Sequence, residues 1–255
     1  MIDELHPTPE LQSLVVQLGA RDRESAKVAE TALASSGATG LAAAIWGLSH
    51  RDTRVRGACA AFMDHHGTDA CFSALQQVAL HDPAASVRRM AVHSATCQGC
   101  KPSPLTGDLV GLLVEVALSD TNRRIRLHAL WSLHRPQDAR AVAALEGILR
   151  DGDPELQVAA FQALVSQNSA YQGDPVGVYV RVALSDAHKS ERLKALLELR
   201  HLPPDPRAKA ALQQIMRADT DPRLRSYAHH ALKRQDPEYK ADFDAQARER
   251  WISKA

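Results

Sequence analysis

Residues 118–133 read LSDTNRRIRLHALWSL, and this stretch decides the fold. An apolar segment ends at Leu118, a short polar run follows, and then Ile125, Ala129 and Leu133 recur every fourth residue. Residues spaced this way share one face of an α-helix, because 3.6 residues complete a turn. The stretch therefore predicts the end of one helix, a tight turn and an amphipathic second helix. The pattern returns at 80–95 (LHDPAASVRRMAVHSA), at 184–199 (LSDAHKSERLKALLEL) and at 218–232 (ADTDPRLRSYAHHAL). Anchored on Ala26, Arg56, Arg88, Arg126, Gln157, Arg192 and Arg225, it recurs about every 33 residues. Three positions past the anchors stand Ala29, Cys59, Ala91, Ala129, Ala160, Ala195 and Ala228, a small residue in every copy.

Each unit thus reads as helix A, a turn and helix B. The A helices are expected to end at Leu18, Leu48, Leu80, Leu118, Leu149 and Leu184. Asp82-Pro83, Asp153-Pro154 and Asp221-Pro222 read as an N-cap followed by a first-turn proline, where the missing N–H costs nothing. Such a hairpin buries its apolar stripe only by stacking on its neighbours. The expected fold is all-α: a right-handed α-solenoid of about seven helical hairpins over residues 1–235, closed by a capping helix at 236–255 of the same domain. Asp236-Pro237 opens that helix, and Tyr239, Phe243, Ala247 and Trp251 form the stripe that would cover the end of the stack. A chain that is 45% apolar but only 4% aromatic suits closely approaching helices. Period-2 alternation is scarce, which argues against a large sheet.

The period alone also fits tetratricopeptide or ankyrin repeats, but the Trp-Leu-Gly-Tyr framework of the first and the Thr-Pro-Leu-His start of the second are absent. The D…VRxxAxxAL pattern resembles HEAT-like repeats of the short bacterial kind, related to those of phycobilisome (bilin) lyases, over roughly residues 11–235. That resemblance implies a ladder between successive repeats, built from an Asp in the turn and an Arg six residues later. The pairs at that spacing are Asp82/Arg88, Asp120/Arg126, Asp186/Arg192 and Asp219/Arg225. Asp151 is followed by Gln157 instead, and Ala20 and Ala26 leave the first repeat without either group. The resemblance assigns the ladder to stability, and it places the binding surface on the concave face lined by the B helices. A di-iron hydroxylase in the same family uses His-Glu pairs as ligands, and this sequence contains no His-Glu dipeptide.

Charge and motifs narrow the function. Lys and Arg number 31 against 30 Asp and Glu, so the whole chain lacks the basic excess of a nucleic-acid binder. Between residues 188 and 234, however, Lys and Arg outnumber acids eleven to five, which keeps nucleic acid as the second partner class. A Gly-rich phosphate loop, GxSxG and HExxH are all missing. The longest apolar run, LAAAIWGL at 41–48, is too short to cross a bilayer, and no secretory signal is visible. The expectation is a cytoplasmic, non-catalytic scaffold that binds a protein partner.

Two sets of side chains carry the site. On helix B, the face opposite the apolar stripe presents His93, Trp131, Leu197 and His230 at one register position. Arg89, His128, His134 and Arg135 flank it in the earlier repeats, and Lys194, His201 and Tyr227 in the later ones. Aromatic, basic and apolar groups mixed this way have the composition of an interface centre, and Trp and Arg dominate interface energies. The bland alternative is that Trp131 folds onto a neighbouring helix. The second set is Cys97-Gln-Gly-Cys100, with His93 four residues earlier and Cys71 opening the preceding helix. Cys71, His93, Cys97 and Cys100 have the donor types of a tetrahedral zinc site, against the alternative of buried thiols and surface imidazoles. Cys59 reads as core.

Overall fold

The computed structural model describes residues 6–252 apart from 98, 102, 135–137, 152, 153, 168–173 and 186–188. The side chains of 151, 154, 155, 165–167 and 246–252 also lie outside that description. All regular structure among the described residues is helical. The order is α1 (Pro9–Leu18), α2 (Arg23–Ser35), α3 (Gly37–Gly47), α4 (Thr53–His66), α5 (Phe72–His81), α6 (Ala85–Thr96), α7 (Leu109–Ser119) and α8 (Arg123–Ser132). Then follow α9 (Ala139–Asp151), α10 (Pro154–Gln167), α11 (Pro175–Leu184), α12 (Lys189–Leu199), α13 (Pro206–Ala218), α14 (Pro222–Gln235) and α15 (Pro237–Ile252). The chain divides into two compact units, one ending at Ala141 and the other starting at Val142.

In the first unit α1 packs on α2, α3 on α4, α5 on α6 and α7 on α8, and the second helices α4, α6 and α8 lie in sequence against one another. In the second unit α11 pairs with α12 and α13 with α14, while α10, α12 and α14 make the corresponding row. The B-helix register is the one the periodicity predicts. Val55, Cys59 and Met63 are buried on α4, Val87, Ala91 and Ala95 on α6, and Ile125, Ala129 and Leu133 on α8 and its cap. Leu156, Ala160 and Leu164 repeat the stripe on α10, and Leu224, Ala228 and Leu232 on α14. Each large member contributes roughly 1.5–3 kcal/mol by leaving water. Glu191 takes the first stripe position of α12 and is buried beside Lys194, whose Nζ lies 3.1 Å from its carboxylate.

The turn between A and B helices uses two polar residues for two jobs. Asp82, Asp120 and Asp219 end α5, α7 and α13, and each folds its carboxylate back onto the amide two residues on, at Ala84, Asn122 and Asp221. The residue at that second position starts the B helix: Asn122 caps α8, and Asp221 caps α14 with Pro222 in its first turn. Asp82 is therefore not the N-cap that Asp82-Pro83 suggests; Ala84 holds that place and Pro83 lies in the turn. Asp153 lies outside the described residues.

The ladder runs from each arginine to the aspartate of the next hairpin. Arg56 donates through Nε and Nη2 to Asp82 at 2.6 and 3.0 Å, and Arg88 does the same to Asp120 at 2.8 and 2.9 Å. Arg192 pairs with Asp219. The six-residue relation within a repeat is met through the main chain: Nη1 of Arg88 donates to the Asp82 carbonyl at 2.9 Å, and Nη1 of Arg225 to the Asp219 carbonyl at 2.7 Å. Asp120 is thus held by Arg88, not by Arg126, whose Nε donates to the Ala117 carbonyl. Asp186 lies outside the described residues. Burial pushes the Asp82 carboxyl up, but the Arg56 bonds, the Ala84 amide and the Arg88 charge outweigh it and hold the group below the usual carboxylate range. At the fifth anchor Gln157 replaces the guanidinium and donates to the Leu149 carbonyl at 3.2 Å.

A second, exposed ladder joins the starts of the A helices. Asp108 caps α7 through the Gly111 amide, and Asp174 caps α11 through the Gly177 amide. Arg140 grips Asp108 and Asp138 together, and Arg207 grips Asp174 and Asp205. The cap carboxylates press so closely on their helices that a Cβ at Gly111 or Gly177 would stand 2.3 or 2.2 Å from an aspartate oxygen. Gln235, buried at the end of α14, donates to the carbonyls of Leu199 and Leu202 and accepts from the Asp205 amide. On the next helix Tyr239 meets His229 through its hydroxyl at 2.7 Å, and the Phe243 ring stacks edge-on against the same imidazole. The expected capping stripe therefore packs on α14 through Tyr239 and Phe243; the side chains of Ala247 and Trp251 lie outside the described residues.

Candidate functional site

In the first unit the outward faces of α2, α4, α6 and α8 make two open clefts that meet at His93. The first, about 620 Å³, runs from Arg23 and Lys27 past Ala58 and Ala61 to Asp64, Met90 and His93. The second, about 660 Å³, continues from His93 and Cys97 across Leu109 and Leu113 to His128, Trp131 and His134. Trp131 is 53% exposed, so the core does not claim it. It projects from α8 opposite the buried Ala129 and Leu133, as the register predicts. His128 stands beside it, its ring 6.0 Å from that of His93 in an edge-to-face arrangement. Burial, with the charges of His93 and Arg89, pushes the His128 pKa down, so at neutral pH this imidazole is uncharged. Arg89 is exposed and His134 is exposed at the end of α8, whereas Arg135 lies outside the described residues.

The second unit carries its own outward B-helix face. Leu197 is half-buried on α12, and Lys194 pairs with Glu191. His201 is exposed just past that helix, while Tyr227 and His230 are exposed on α14. Tyr227 is 39% exposed, the only other aromatic among the large exposed side chains of the described residues.

The metal-ligand set proposed from the sequence is altered by the structure. Cys71 is fully buried in the core, where burial pushes its thiol up, and it stands in neither candidate ligand group. Its helix does begin near the end of α6, but the first turn points the thiol inward, towards the main chain at Gly67. Asp64 stands near the other donors instead. The donor atoms of Asp64, His93 and Cys97 all lie within 4.8 Å of one another, and so do those of Asp64, His65 and Cys100. Asp64 Oδ2 is 3.5 Å from His93 Nε2 and 3.8 Å from His65 Nε2. The residue is 7% exposed, and its Oδ1 has no hydrogen-bond donor. Lys101, its side chain fully enclosed, brings Nζ to 3.7 Å from Oδ1 and donates to the Cys97 carbonyl at 2.7 Å. Asp64 was hidden in the sequence because it follows the core residue Met63; an acid at the end of a B helix directly before two histidines was the available signal.

No family model matches this chain, and no curated protein matches it. Among solved structures, one crystal structure of an engineered protein is similar at 17% identity over 89% of this chain and 97% of its own, with a TM-score of 0.38. A second engineered protein is also 17% identical, over 89% and 99%, with a TM-score of 0.34. The complex of CpcE and CpcF of phycocyanin lyase from Nostoc sp. PCC7120 is similar at 15% identity over 87% and 96%, with a TM-score of 0.32. The chain's own hairpins and its carboxylate–guanidinium ladder define its fold.

Proposed function

We propose that this chain is a non-catalytic scaffold that binds a protein partner on the outward B-helix face, with the Trp131 cleft of the first unit as the anchor point. The exposure of Trp131 carries the reading. A large indole left half in water, on a helix whose other face is well packed, costs free energy that a partner would recover on covering it. Its surroundings favour protein over nucleic acid: Leu109, Leu113, Thr96 and His128 line the cleft beside it, and among the described residues its lining holds no row of Lys or Arg. Helix B recurs in every repeat, so an extended segment of partner has successive places to dock. The outward face of the second unit, with Lys194, Leu197, His201, Tyr227 and His230, is a further part of the same reading.

The experiment is affinity capture from the native host with the wild type and with Trp131→Ala, followed by binding measurements on the captured partner. Truncation at a hot spot costs about 2 kcal/mol or more, roughly a thirtyfold loss of affinity, while the melting temperature stays put. Equal capture by both proteins would overturn the assignment. So would salt-dependent binding of duplex DNA that survives the substitution.

A further inference from the structure

We propose that Asp64, His93, Cys97 and Cys100 bind one zinc ion, which ties the segment after α6 to the end of α4. Three observations carry this. The first is geometric. Tetrahedral ligands at bonds of roughly 2.0–2.3 Å stand about 3.3–3.8 Å apart. Asp64 Oδ2 and His93 Nε2 are already 3.5 Å apart, and the Cys97 Sγ is within 4.8 Å of both. The Cys100 thiol falls in the second group, with Asp64 and His65, and Asp64 is common to both groups. His93 is the better imidazole ligand: it is closer to Asp64 than His65 and less exposed, and it stands one helical turn before Cys97.

The second observation is the state of Asp64. A carboxylate whose side chain is only 10% exposed, with one oxygen lacking any hydrogen-bond donor, is costly unless a cation completes its surroundings. Lys101 is close but at 3.7 Å forms no hydrogen bond with it. The third is charge. One carboxylate and two thiolates carry three negative charges, which a divalent ion and the Lys101 ammonium together neutralise. Binding converts two S–H bonds to Zn–S bonds and releases two protons to solvent. The mixed sulfur, nitrogen and oxygen donor set suits zinc rather than magnesium or calcium.

The site has structural work to do. The segment between α6 and α7 is otherwise fastened by Lys101 at one end and by Thr106 at the other, whose amide and hydroxyl both donate to Asp69. A metal would add a tie just ahead of Lys101, at the start of the segment, and fix the rim of the cleft that Cys97 and Gly99 share with Trp131.

The test uses the full chain, reduced and stripped with a chelator, then titrated with zinc against a chromophoric competitor and with cobalt(II) as an optical probe. The expected result is one metal per chain, a thiolate-to-cobalt charge-transfer band, the visible absorption of tetrahedral cobalt, and proton release on binding. Cys97→Ser and Cys100→Ser should each diminish the band and weaken zinc about tenfold or more, and Asp64→Asn should weaken zinc about tenfold while keeping the band. Cys71→Ser and His65→Ala should bind like the wild type, and far-ultraviolet circular dichroism of each variant checks that it folds. Absence of the charge-transfer band in the wild type, undiminished affinity in Cys97→Ser, or a Cys97–Cys100 disulfide whose reduction restores no metal binding would each overturn the site.

Discussion

The two ladders of this protein use the same chemistry in opposite surroundings. At the A–B turns, Arg56–Asp82 and Arg88–Asp120 are bidentate pairs whose side chains are only 3–11% exposed. At the starts of the A helices, Arg140 and Arg207 each bridge two aspartates, yet Arg140 and Asp108 are 54% and 56% exposed and Arg207 and Asp174 are both 54% exposed. Water screens the outer pairs and competes for every donor, so exposed ion pairs are worth little on average. The inner pairs are shielded, and removing one member leaves a charge in a place that was shaped for two. The distances are alike in the two ladders; their surroundings set their energetic weight.

That contrast can be broken at its strongest point with Arg88→Ala. The substitution leaves Asp120 buried without its bidentate partner and frees the Asp82 carbonyl, so denaturant unfolding should show a loss of about 3 kcal/mol or more. A loss below about 1 kcal/mol would place the inner ladder in the same class as the outer one. Next in size is Gly111→Ala, which sharpens the contrast by attacking the outer ladder through its helix cap. The new methyl would displace the Asp108 carboxylate from the Gly111 amide, and loss of such a cap costs about 1–2 kcal/mol. The smallest effect belongs to Arg140→Ala, since water screens this exposed pair. Its pH dependence gives it away. Arg140 bonds, and then the Gly111 amide, hold the Asp108 carboxyl below its ordinary range. The stabilisation is therefore complete above the ordinary carboxylate pKa and disappears as the pH falls through the lowered one. Melts in strong acid should find wild type and Arg140→Ala equally stable, and a difference that persisted there would mean that the contribution is not ionic.

The hairpins and the B-helix register were legible because burial follows helical periodicity, and Val55, Cys59 and Met63 announce it without help from the rest of the chain. The ladder was legible as composition but not as connectivity. An Asp and an Arg six residues apart can bond through the main-chain carbonyl of the first, which leaves both side chains free to reach different neighbours, and spacing alone does not reveal the direction. The outer ladder went unread because Asp-x-x-Gly at 108–111 and 174–177 and Asp-x-Arg at 138–140 and 205–207 look like ordinary helix starts. Their meaning appears only when hairpin stacking brings residues 32 or 33 positions apart into contact. The same limit separates Cys71 from Asp64. Both stand near the edge where Cys97 lies, but the phase of each helix decides which side chain faces the core, and helix starts are where that phase is hardest to read.

The inner ladder is directional. In each rung a guanidinium of one hairpin meets a carboxylate of the next, and the α5–α6 hairpin carries both groups, Asp82 towards Arg56 and Arg88 towards Asp120, so its two sides are complementary and never alike. Objects of this kind join head to tail without limit unless something stops them. Within a gene, the same property lets a unit of about 33 residues be duplicated or lost while the junctions still match. At the last hairpin Arg225 turns its Nη1 to the carbonyls of Asp219 and Thr220, and α15 lays Tyr239 and Phe243 over His229. The two ends of the ladder are therefore unlike its middle: α15 covers part of α14 through Tyr239 and Phe243, and the first hairpin, with Ala20 and Ala26, carries neither the carboxylate nor the guanidinium of a rung.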